Sequence, residues 1–356
     1  MSKLTSPFKL GRIELRNRVV MAPLTRSRAT DNVPNDLMAE YYGQRAGAGL
    51  IVTEGTSPSP NGLGYARIPG LFNDAQEAGW SKVAKAVHAK GGRIFAQLMH
   101  TGRISHPLNL PPQAKVLAPS VVASSGKMFT DEKGLLPLPV PVEMSESDIG
   151  DAIEEFATAA ERAANAGLDG IELHSANGYL LEQFLNPGTN RRSDGYGGSA
   201  EKRLRFVVEV ATAVTARIGA DRVGMRISPY GPFNDVTPSY DGIEDAYAQL
   251  ARSMNQIKLA YIHVVDHSSM GSPPVPRSIK DRLRSTFAGA LIFSGGYDKA
   301  RAEEDLAGER ADLIAFGRPF ISNPNLVEKM RTDVPLAPAD PTTFYTPGPK
   351  GYVDYP

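Results

Sequence analysis

The sequence predicts an α/β fold, a single (β/α)8 TIM barrel, and three observations support this prediction. Eight short apolar segments recur along the 356 residues, each ending at glycine, proline or a polar residue. Segments with helical periodicity separate them, as a right-handed βα repeat requires. The length is typical of a barrel with insertions. We therefore expect one domain over residues 1–356.

The eight apolar segments are the predicted barrel strands. Their apolar character is largely continuous, which suits parallel strands that are buried on both faces. They lie at residues 19–23, 50–55, 94–99, 170–175, 223–228, 261–266, 290–295 and 313–318.

The helix after residue 145 is the best defined by sequence. Ser145 and Asp148 approximate the spacing of a capping box, in which each side chain satisfies a free backbone N–H of the first turn. Apolar residues follow at helical spacing, and Gly167 is placed to end the helix in a left-handed conformation. Similar helices are predicted at residues 75–90, 200–218, 243–256 and 299–307.

Three segments depart from a bare barrel. Residues 8–15 read as an N-terminal hairpin that plugs the amino-terminal mouth of the barrel. Residues 100–144 contain seven prolines and little helical period, so we expect a long excursion after the third strand that covers the carboxyl-terminal face. The tail, residues 335–356, is rich in proline and glycine and is expected to lie over the surface or the site.

Composition narrows the class of protein. Lys+Arg and Asp+Glu both number 39, so no excess of positive charge argues for nucleic acid or an anionic membrane as a partner. There is no cysteine, which excludes disulfides, thiolate metal sites and cysteine nucleophiles. No apolar run approaches the ~20 residues of a membrane helix, and the N-terminus lacks a signal core. We expect a cytoplasmic protein, a monomer or homodimer, that acts on small molecules.

Three hydrogen-bonding side chains follow the fourth predicted strand together. His174, Asn177 and Tyr179 come directly after an apolar run. Side chains at the carboxyl ends of barrel strands line the active site, so this group is the first candidate for catalysis.

A second group of strand-end residues favours a flat ligand that carries a phosphate. Thr25, Gln97 and Arg226 can bond the polar edge of a heterocycle, and Arg226 can stabilise negative charge on it. The last two strands end in glycines followed by an arginine, which suits phosphate binding. These residues are Gly295, Gly296, Phe316, Gly317 and Arg318.

Other chemistries are poorly supported. His174, His263 and His267 have only Asp266 as a nearby carboxylate, so we expect no metal. No Gly-x-Ser-x-Gly elbow follows a strand. No Gly-x-Gly-x-x-Gly fingerprint follows a strand either, so a nicotinamide would visit the site rather than bind a Rossmann domain.

Taken together, these residues resemble the Old Yellow Enzyme family of FMN-dependent ene-reductases over residues 4–356. The matching stretches are residues 17–26, 52–55, 97–103, 174–181, 190–199, 295–297, 316–319 and 351–356. Met99 and Gly55 depart from the residues usual in that family. The exit of the sixth strand, residues 266–270, follows no family pattern.

The resemblance implies non-covalently bound FMN, reduced by NADPH or NADH, and an activated alkene as substrate. It implies that His174 and Asn177 bind the carbonyl oxygen of an α,β-unsaturated carbonyl compound and that Tyr179 donates a proton to the α-carbon. Tyr65 and Tyr345 would lie at the substrate pocket. The implied FMN-binding residues are Ala22, Pro23, Leu24, Thr25, Gly55, Gln97, Arg226, Gly295, Gly296, Phe316, Gly317 and Arg318.

Three alternatives stay open at this point, and one of them is a flavin-binding protein without catalytic activity. The same site could reduce nitrate esters or nitroaromatic compounds. A flavin-free barrel could instead bind a sugar phosphate and act as a lyase or isomerase, for which Glu54 is the nearest candidate base.

Overall fold

A computed structural model describes residues 2–356, and at its centre eight parallel strands form a closed barrel. In chain order the strands are β1 (Phe8–Leu10), β2 (Ile13–Leu15), β3 (Val19–Met21), β4 (Leu50–Thr56), β5 (Ile94–Leu98), β6 (Leu117–Ala118), β7 (Lys127–Thr130), β8 (Gly134–Pro137), β9 (Val142–Glu143), β10 (Gly170–Ser175), β11 (Val223–Ile227), β12 (Tyr261–Val265), β13 (Ala290–Ser294) and β14 (Leu313–Phe316).

The barrel order follows the chain, β3-β4-β5-β10-β11-β12-β13-β14, and β14 closes onto β3. Each predicted strand overlaps one barrel strand, and β4 extends one residue beyond its prediction, so the predicted fold class is confirmed. The barrel strands are buried along their whole length, which explains their continuous apolar character.

The helices are α1 (Asp36–Gln44), α2 (Asp74–His88), α3 (Glu146–Asn165), α4 (Leu180–Leu185), α5 (Ala200–Ile218), α6 (Ile243–Ile257), α7 (Arg277–Thr286), α8 (Lys299–Ala307), α9 (Arg318–Ser322) and α10 (Leu326–Thr332). The capping box of Ser145 and Asp148 is present at the start of α3, and Gly167 has a φ of +89° beyond its end. The prediction for α5 is confirmed to the residue. No helix of residues 2–356 has both the length and the apolar composition to cross a membrane.

The N-terminal hairpin closes the amino-terminal mouth of the barrel, as predicted. Strands β1 and β2 pair antiparallel, and their Leu10 and Leu15 are buried. Both leucines pack in one apolar cluster with Leu50, Tyr261 and Leu313, which lie at the starts of barrel strands. The hairpin thus fills the end of the barrel opposite the strand ends that carry polar residues.

The excursion after β5 carries two small sheets. Strand β6 pairs in parallel with β9, and β7 forms an antiparallel hairpin with β8. Met128 of β7 is buried in an apolar cluster with Met99 and Tyr179, both at the carboxyl ends of barrel strands. The excursion therefore covers part of the carboxyl-terminal face.

Candidate functional site

A cavity of about 570 Å³ opens at the carboxyl ends of the barrel strands. Its volume lies in the range of ligand sites. Its walls bring together predicted residues from β3, β10, β11, β13 and β14 that are distant in sequence. These are Ala22, Pro23, Leu24, Thr25, Asn177, Arg226, Gly295, Gly296, Phe316, Gly317, Arg318 and Tyr345.

The predicted catalytic residues lie together beside this cavity. The rings of His174 and Tyr179 meet edge to face with centroids 4.8 Å apart. The hydroxyl of Tyr179 is 2.8 Å from the hydroxyl of Tyr65. Asn177 lines the wall of the cavity, whereas His174, Tyr179 and Tyr65 do not. These three side chains form a continuous group beside Asn177.

Burial sets the protonation of this group. It lowers the pKa of His174 well below the ordinary value, and the nearby charge of Arg226 lowers it further. Burial also raises the pKa of Tyr179 well above its ordinary value, and Tyr65 adds to this rise. The site therefore holds a neutral imidazole and a neutral phenol at pH 7.

Several buried polar atoms of the site have no hydrogen-bond partner within residues 2–356. They are Nδ1 of His174, Oδ1 of Asn177 and Nε of Arg226. Buried polar atoms are rarely left unpaired unless a ligand or water completes them. Their common position at the carboxyl ends of β10 and β11 indicates a ligand with polar atoms on this side of the cavity.

A buried network that the sequence analysis missed lies beneath the strand ends. Glu172 accepts a hydrogen bond of 2.8 Å from Nε2 of Gln97, and its other oxygen is 2.9 Å from Nδ1 of His263. Nε2 of His263 is 3.0 Å from the hydroxyl of Ser294. The network spans β5, β10, β12 and β13. The sequence feature that could have revealed this network is Glu172, a glutamate inside the otherwise apolar run of β10.

The network leaves Glu172 ionised and fixes the amide of Gln97. Burial alone would raise the pKa of Glu172, but the charge of His263 and its hydrogen bond, the charge of Arg226 and the hydrogen bond from Gln97 outweigh it and hold the pKa below its ordinary value. Burial lowers the pKa of His263, and because a carboxylate only accepts, Nδ1 of His263 is the donor in their hydrogen bond. Since Nε2 of Gln97 is used, its amide oxygen is left to accept a hydrogen bond.

The glycine-rich strand ends form one edge of the cavity. Gly295 and Gly296 have φ values of +125° and +65°, and a Cβ on Gly295 would lie 2.1 Å from the carbonyl oxygen of Asp266. Only glycine fits this close approach. Arg318 stands at the same edge, exposed and without an ion pair in the described chain.

Gly55 is placed against a side chain rather than in the cavity wall. A Cβ at this position would lie 2.5 Å from both Cε and Sδ of Met99. The two departures from the family pattern thus contact each other, because Met99 occupies the space that a larger residue at position 55 would need.

The wall after the sixth barrel strand comes from residues for which no role was predicted. The rings of His267 and Phe233 contact each other with centroids 4.3 Å apart and planes tilted by 37°, and Met270 also lines the cavity. Burial lowers the pKa of His267 to about 4. Asp266 anchors this loop by accepting hydrogen bonds from Ser268 and Lys280.

The C-terminal tail contributes to the cavity through Phe344 and Tyr345. Arg26 donates to the carbonyl oxygens of Phe344 and Gly351 and so fixes the tail against the end of β3. Tyr345 is 61% exposed and lies at the rim of the cavity.

Glu54 lies behind the site rather than in it. It is fully buried, accepts a hydrogen bond from the backbone of Arg26, and contacts the hydroxyl of Tyr42. It does not line the cavity. The flavin-free sugar-phosphate alternative therefore lacks its candidate base. In residues 2–356, no cluster of three or more His, Asp or Glu side chains is arranged to hold a metal ion.

Comparisons with known proteins agree on one family. The model of the NADH:flavin oxidoreductase / NADH oxidase family matches residues 3–337. The 12-oxophytodienoate reductase 7 of Oryza sativa subsp. japonica is 40% identical over 99% of this chain and 94% of its own length.

Two solved structures are similar over nearly the whole chain. Morphinone reductase in complex with tetrahydroNAD has a TM-score of 0.94 and 44% identity, over 100% of this chain and 98% of that one. The old yellow enzyme homologue from Zymomonas mobilis has a TM-score of 0.95 and 36% identity, over 99% of both chains.

Proposed function

The chain belongs to the NADH:flavin oxidoreductase / NADH oxidase family, which includes the Old Yellow Enzyme, and from this premise we propose how its site works. The protein is an FMN-dependent, NAD(P)H-driven reductase of the C=C bond of α,β-unsaturated carbonyl compounds. One observation supports the residue assignment above all: neutral His174, Asn177 and neutral Tyr179 converge at the end of β10, beside the cavity.

The residues of the cavity fit FMN. Nε of Arg226, which has no partner within residues 2–356, offers a donor to the heterocycle, with Thr25 at the end of β3. Gln97 does not line the cavity, and the amide oxygen left over from its bond to Glu172 offers an acceptor. Gly295, Gly296, Gly317 and Arg318 offer backbone N–H groups and a guanidinium to the phosphate. FMN, when bound, supplies the hydride chemistry, taking hydride from the nicotinamide and passing it to the alkene.

His174 and Asn177 bind the carbonyl oxygen of the substrate. Reduction at the β-carbon places negative charge on that oxygen, and two fixed donors stabilise it without a metal. A neutral imidazole keeps a ring N–H to donate, and the loss of one such donor typically costs ~3–4 kcal/mol of transition-state stabilisation. Nδ1 of His174 has no partner within residues 2–356, and the donor that Asn177 offers is its amide NH2, since its unpaired Oδ1 can only accept.

Tyr179 holds a proton at its hydroxyl and delivers it to the α-carbon. A phenol is an effective donor only while it is protonated, and the burial that raises its pKa keeps it so. The hydroxyl of Tyr65, 2.8 Å away, is placed to relay a proton from solvent water to Tyr179 after each turnover, so that neither phenol stays deprotonated.

Small carbonyl compounds are the substrate class that the relatives support. 12-oxophytodienoate reductase and morphinone reductase are both named for ketones. Balanced charge supports an enzyme that does not bind nucleic acid, and we expect it to act in the cytoplasm. A monomer or homodimer is the expected assembly.

The test starts from an absorption spectrum of the purified protein. Anaerobic NADPH or NADH should bleach the flavin bands, and cyclohexenone should restore them. A protein that cannot be loaded with FMN would refute the proposal. Parallel turnover of a nitrate ester and a nitroaromatic compound tests the alternative substrate class, which would be favoured if either exceeded cyclohexenone in kcat/KM.

A further inference from the structure

Glu182 in α4 is a buried carboxylate surrounded by hydrogen-bond donors. It is 2% exposed and forms no ion pair within residues 2–356. Its oxygens accept hydrogen bonds from the backbone N–H of Gly178 at 2.6 Å, the hydroxyl of Ser228 at 2.8 Å and the hydroxyl of Tyr247 at 3.1 Å. Burial raises the pKa of Glu182 to about 7, while these three donors lower it, so the carboxylate that accepts all three bonds prevails above that pH.

The donors on Glu182 control the loop between β10 and α4. The hydroxyl of Ser228 also accepts the backbone N–H of Asn177 at 2.8 Å. Asn177 and Gly178 have φ values of +58° and +74°, so two consecutive residues are in the left-handed region. For Asn177 this conformation is uncommon and requires support from its surroundings.

The loop carries two residues of the proposed reaction, one that binds the substrate carbonyl and one that donates the proton. Asn177 precedes Gly178, and Tyr179 follows it. A Cβ on Gly178 would lie 2.7 Å from the carbonyl oxygen of Phe233, so the loop is also confined on the side away from Glu182. A small change at Glu182 therefore reaches the carbonyl-binding amide and the proton donor together.

We propose that Glu182 is a positioning residue that, through Gly178 and Ser228, holds Asn177 and Tyr179 in the geometry required for alkene reduction. The proposal rests on the function assigned above. Glu182 does not touch the substrate, and its effect is transmitted by two hydrogen bonds to the loop.

An amide cannot replace this carboxylate. Glu182 uses both oxygens as acceptors, whereas glutamine offers one acceptor and one donor. The backbone N–H of Gly178 cannot be reversed, so the glutamine oxygen must face it and the amide NH2 then faces the hydroxyls of Ser228 and Tyr247. These bonds are no longer made to a charged acceptor and are weaker. The weaker hold lets the loop shift, and a displacement of about 1 Å at a catalytic group can cost roughly 100-fold in rate.

The experiment compares Glu182→Gln with Tyr247→Phe. The control removes one hydrogen bond from the same carboxylate but leaves the contacts to Gly178 and Ser228. Both holoenzymes are reduced anaerobically with NADH and mixed rapidly with cyclohexenone. FMN content and Tm are recorded, and Ser228→Ala serves as a second test variant should Glu182→Gln not fold.

The expected result is a rate of alkene reduction roughly 10- to 100-fold lower in Glu182→Gln, and lowered in Ser228→Ala, at FMN content equal to that of Tyr247→Phe. Equal rates in Glu182→Gln and Tyr247→Phe would overturn the proposal, since the carboxylate would then contribute stability alone. Failure of the wild-type protein to reduce cyclohexenone would instead refute the proposed function.

Discussion

Tyr179→Phe tests the proposed proton donor with the smallest possible change. The substitution removes one hydroxyl and keeps the ring that packs against His174 with centroids 4.8 Å apart. The residue is 9% exposed and belongs to an apolar cluster with Met99 and Met128. Because phenylalanine fills the same space, we expect the fold and the loading with FMN to survive.

The magnitude follows from what the hydroxyl does. A positioned general acid typically contributes roughly 100- to 10,000-fold to a rate, so the alkene half-reaction should slow by that factor. The half-reaction with NADH needs no proton from Tyr179 and should change little. The hydroxyl also bonds Tyr65 at 2.8 Å, and the net loss of that bond should cost ~1 kcal/mol of stability.

Rapid-mixing spectroscopy separates the two half-reactions. Flavin bleaching by NADH and its recovery with cyclohexenone are timed for wild type, Tyr179→Phe and Tyr65→Phe. Tyr65→Phe is the control: it leaves the phenol of Tyr179 in place and should slow the alkene half-reaction less than Tyr179→Phe does. Recovery of the flavin bands at the wild-type rate in Tyr179→Phe, or equal slowing of both half-reactions, would show that Tyr179 is not the proton donor.

Three further predictions concern buried groups. Glu172→Gln removes the anion that balances Arg226, so the negative charge added on flavin reduction should be better stabilised. The midpoint potential of the flavin should rise by at least ~20 mV, which is ~1 kcal/mol for two electrons, and an unchanged potential would contradict this. Burial raises the pKa of Glu54 to about 7 from an ordinary value near 4.5. The stability that protonated Glu54 contributes is therefore present below pH ~4.5, and ~3 kcal/mol of it is lost by pH 7 and above. The difference in unfolding free energy between pH ~4.5 and ~7.5 should change by this amount in Glu54→Gln, and an identical pH dependence in the two proteins would exclude the effect. Gly55→Ala forces the flexible end of Met99 to move, and thermal unfolding should show a loss of ~1 kcal/mol in unfolding free energy with FMN retained. A loss above ~3 kcal/mol would show that the thioether of Met99 cannot move aside.

Local patterns were sufficient for the barrel and its longest helices. Burial of parallel strands on both faces dictates a continuous apolar run, and capping residues mark helix ends without tertiary contacts. The start of α3 at Ser145 and the bounds of α5 were therefore predicted closely, and the helix predicted at 75–90 is only slightly shorter, at Asp74–His88.

Several helices and one strand pairing were not predicted from sequence. All six residues of α4 are buried, so no polar face marks it as a helix. The pairing of β6 with β9 joins segments about 25 residues apart and depends on the barrel beneath. Helices α1, α7 and α10 were also missed, although α8, which is as short as α1, was predicted.

The chemical groups at the strand ends can be identified from the amino-acid sequence alone: His174, Asn177 and Tyr179 follow one strand, and glycines with Arg318 follow the last two. The protonation states of these groups and the residues that hold them in place depend on tertiary contacts. The pKa shifts of His174 and Tyr179 come from burial, and the contacts of Glu172 and Glu182 join residues from separate strands and helices. Strand register and closure of the barrel create these contacts, and no local pattern in the chain encodes them.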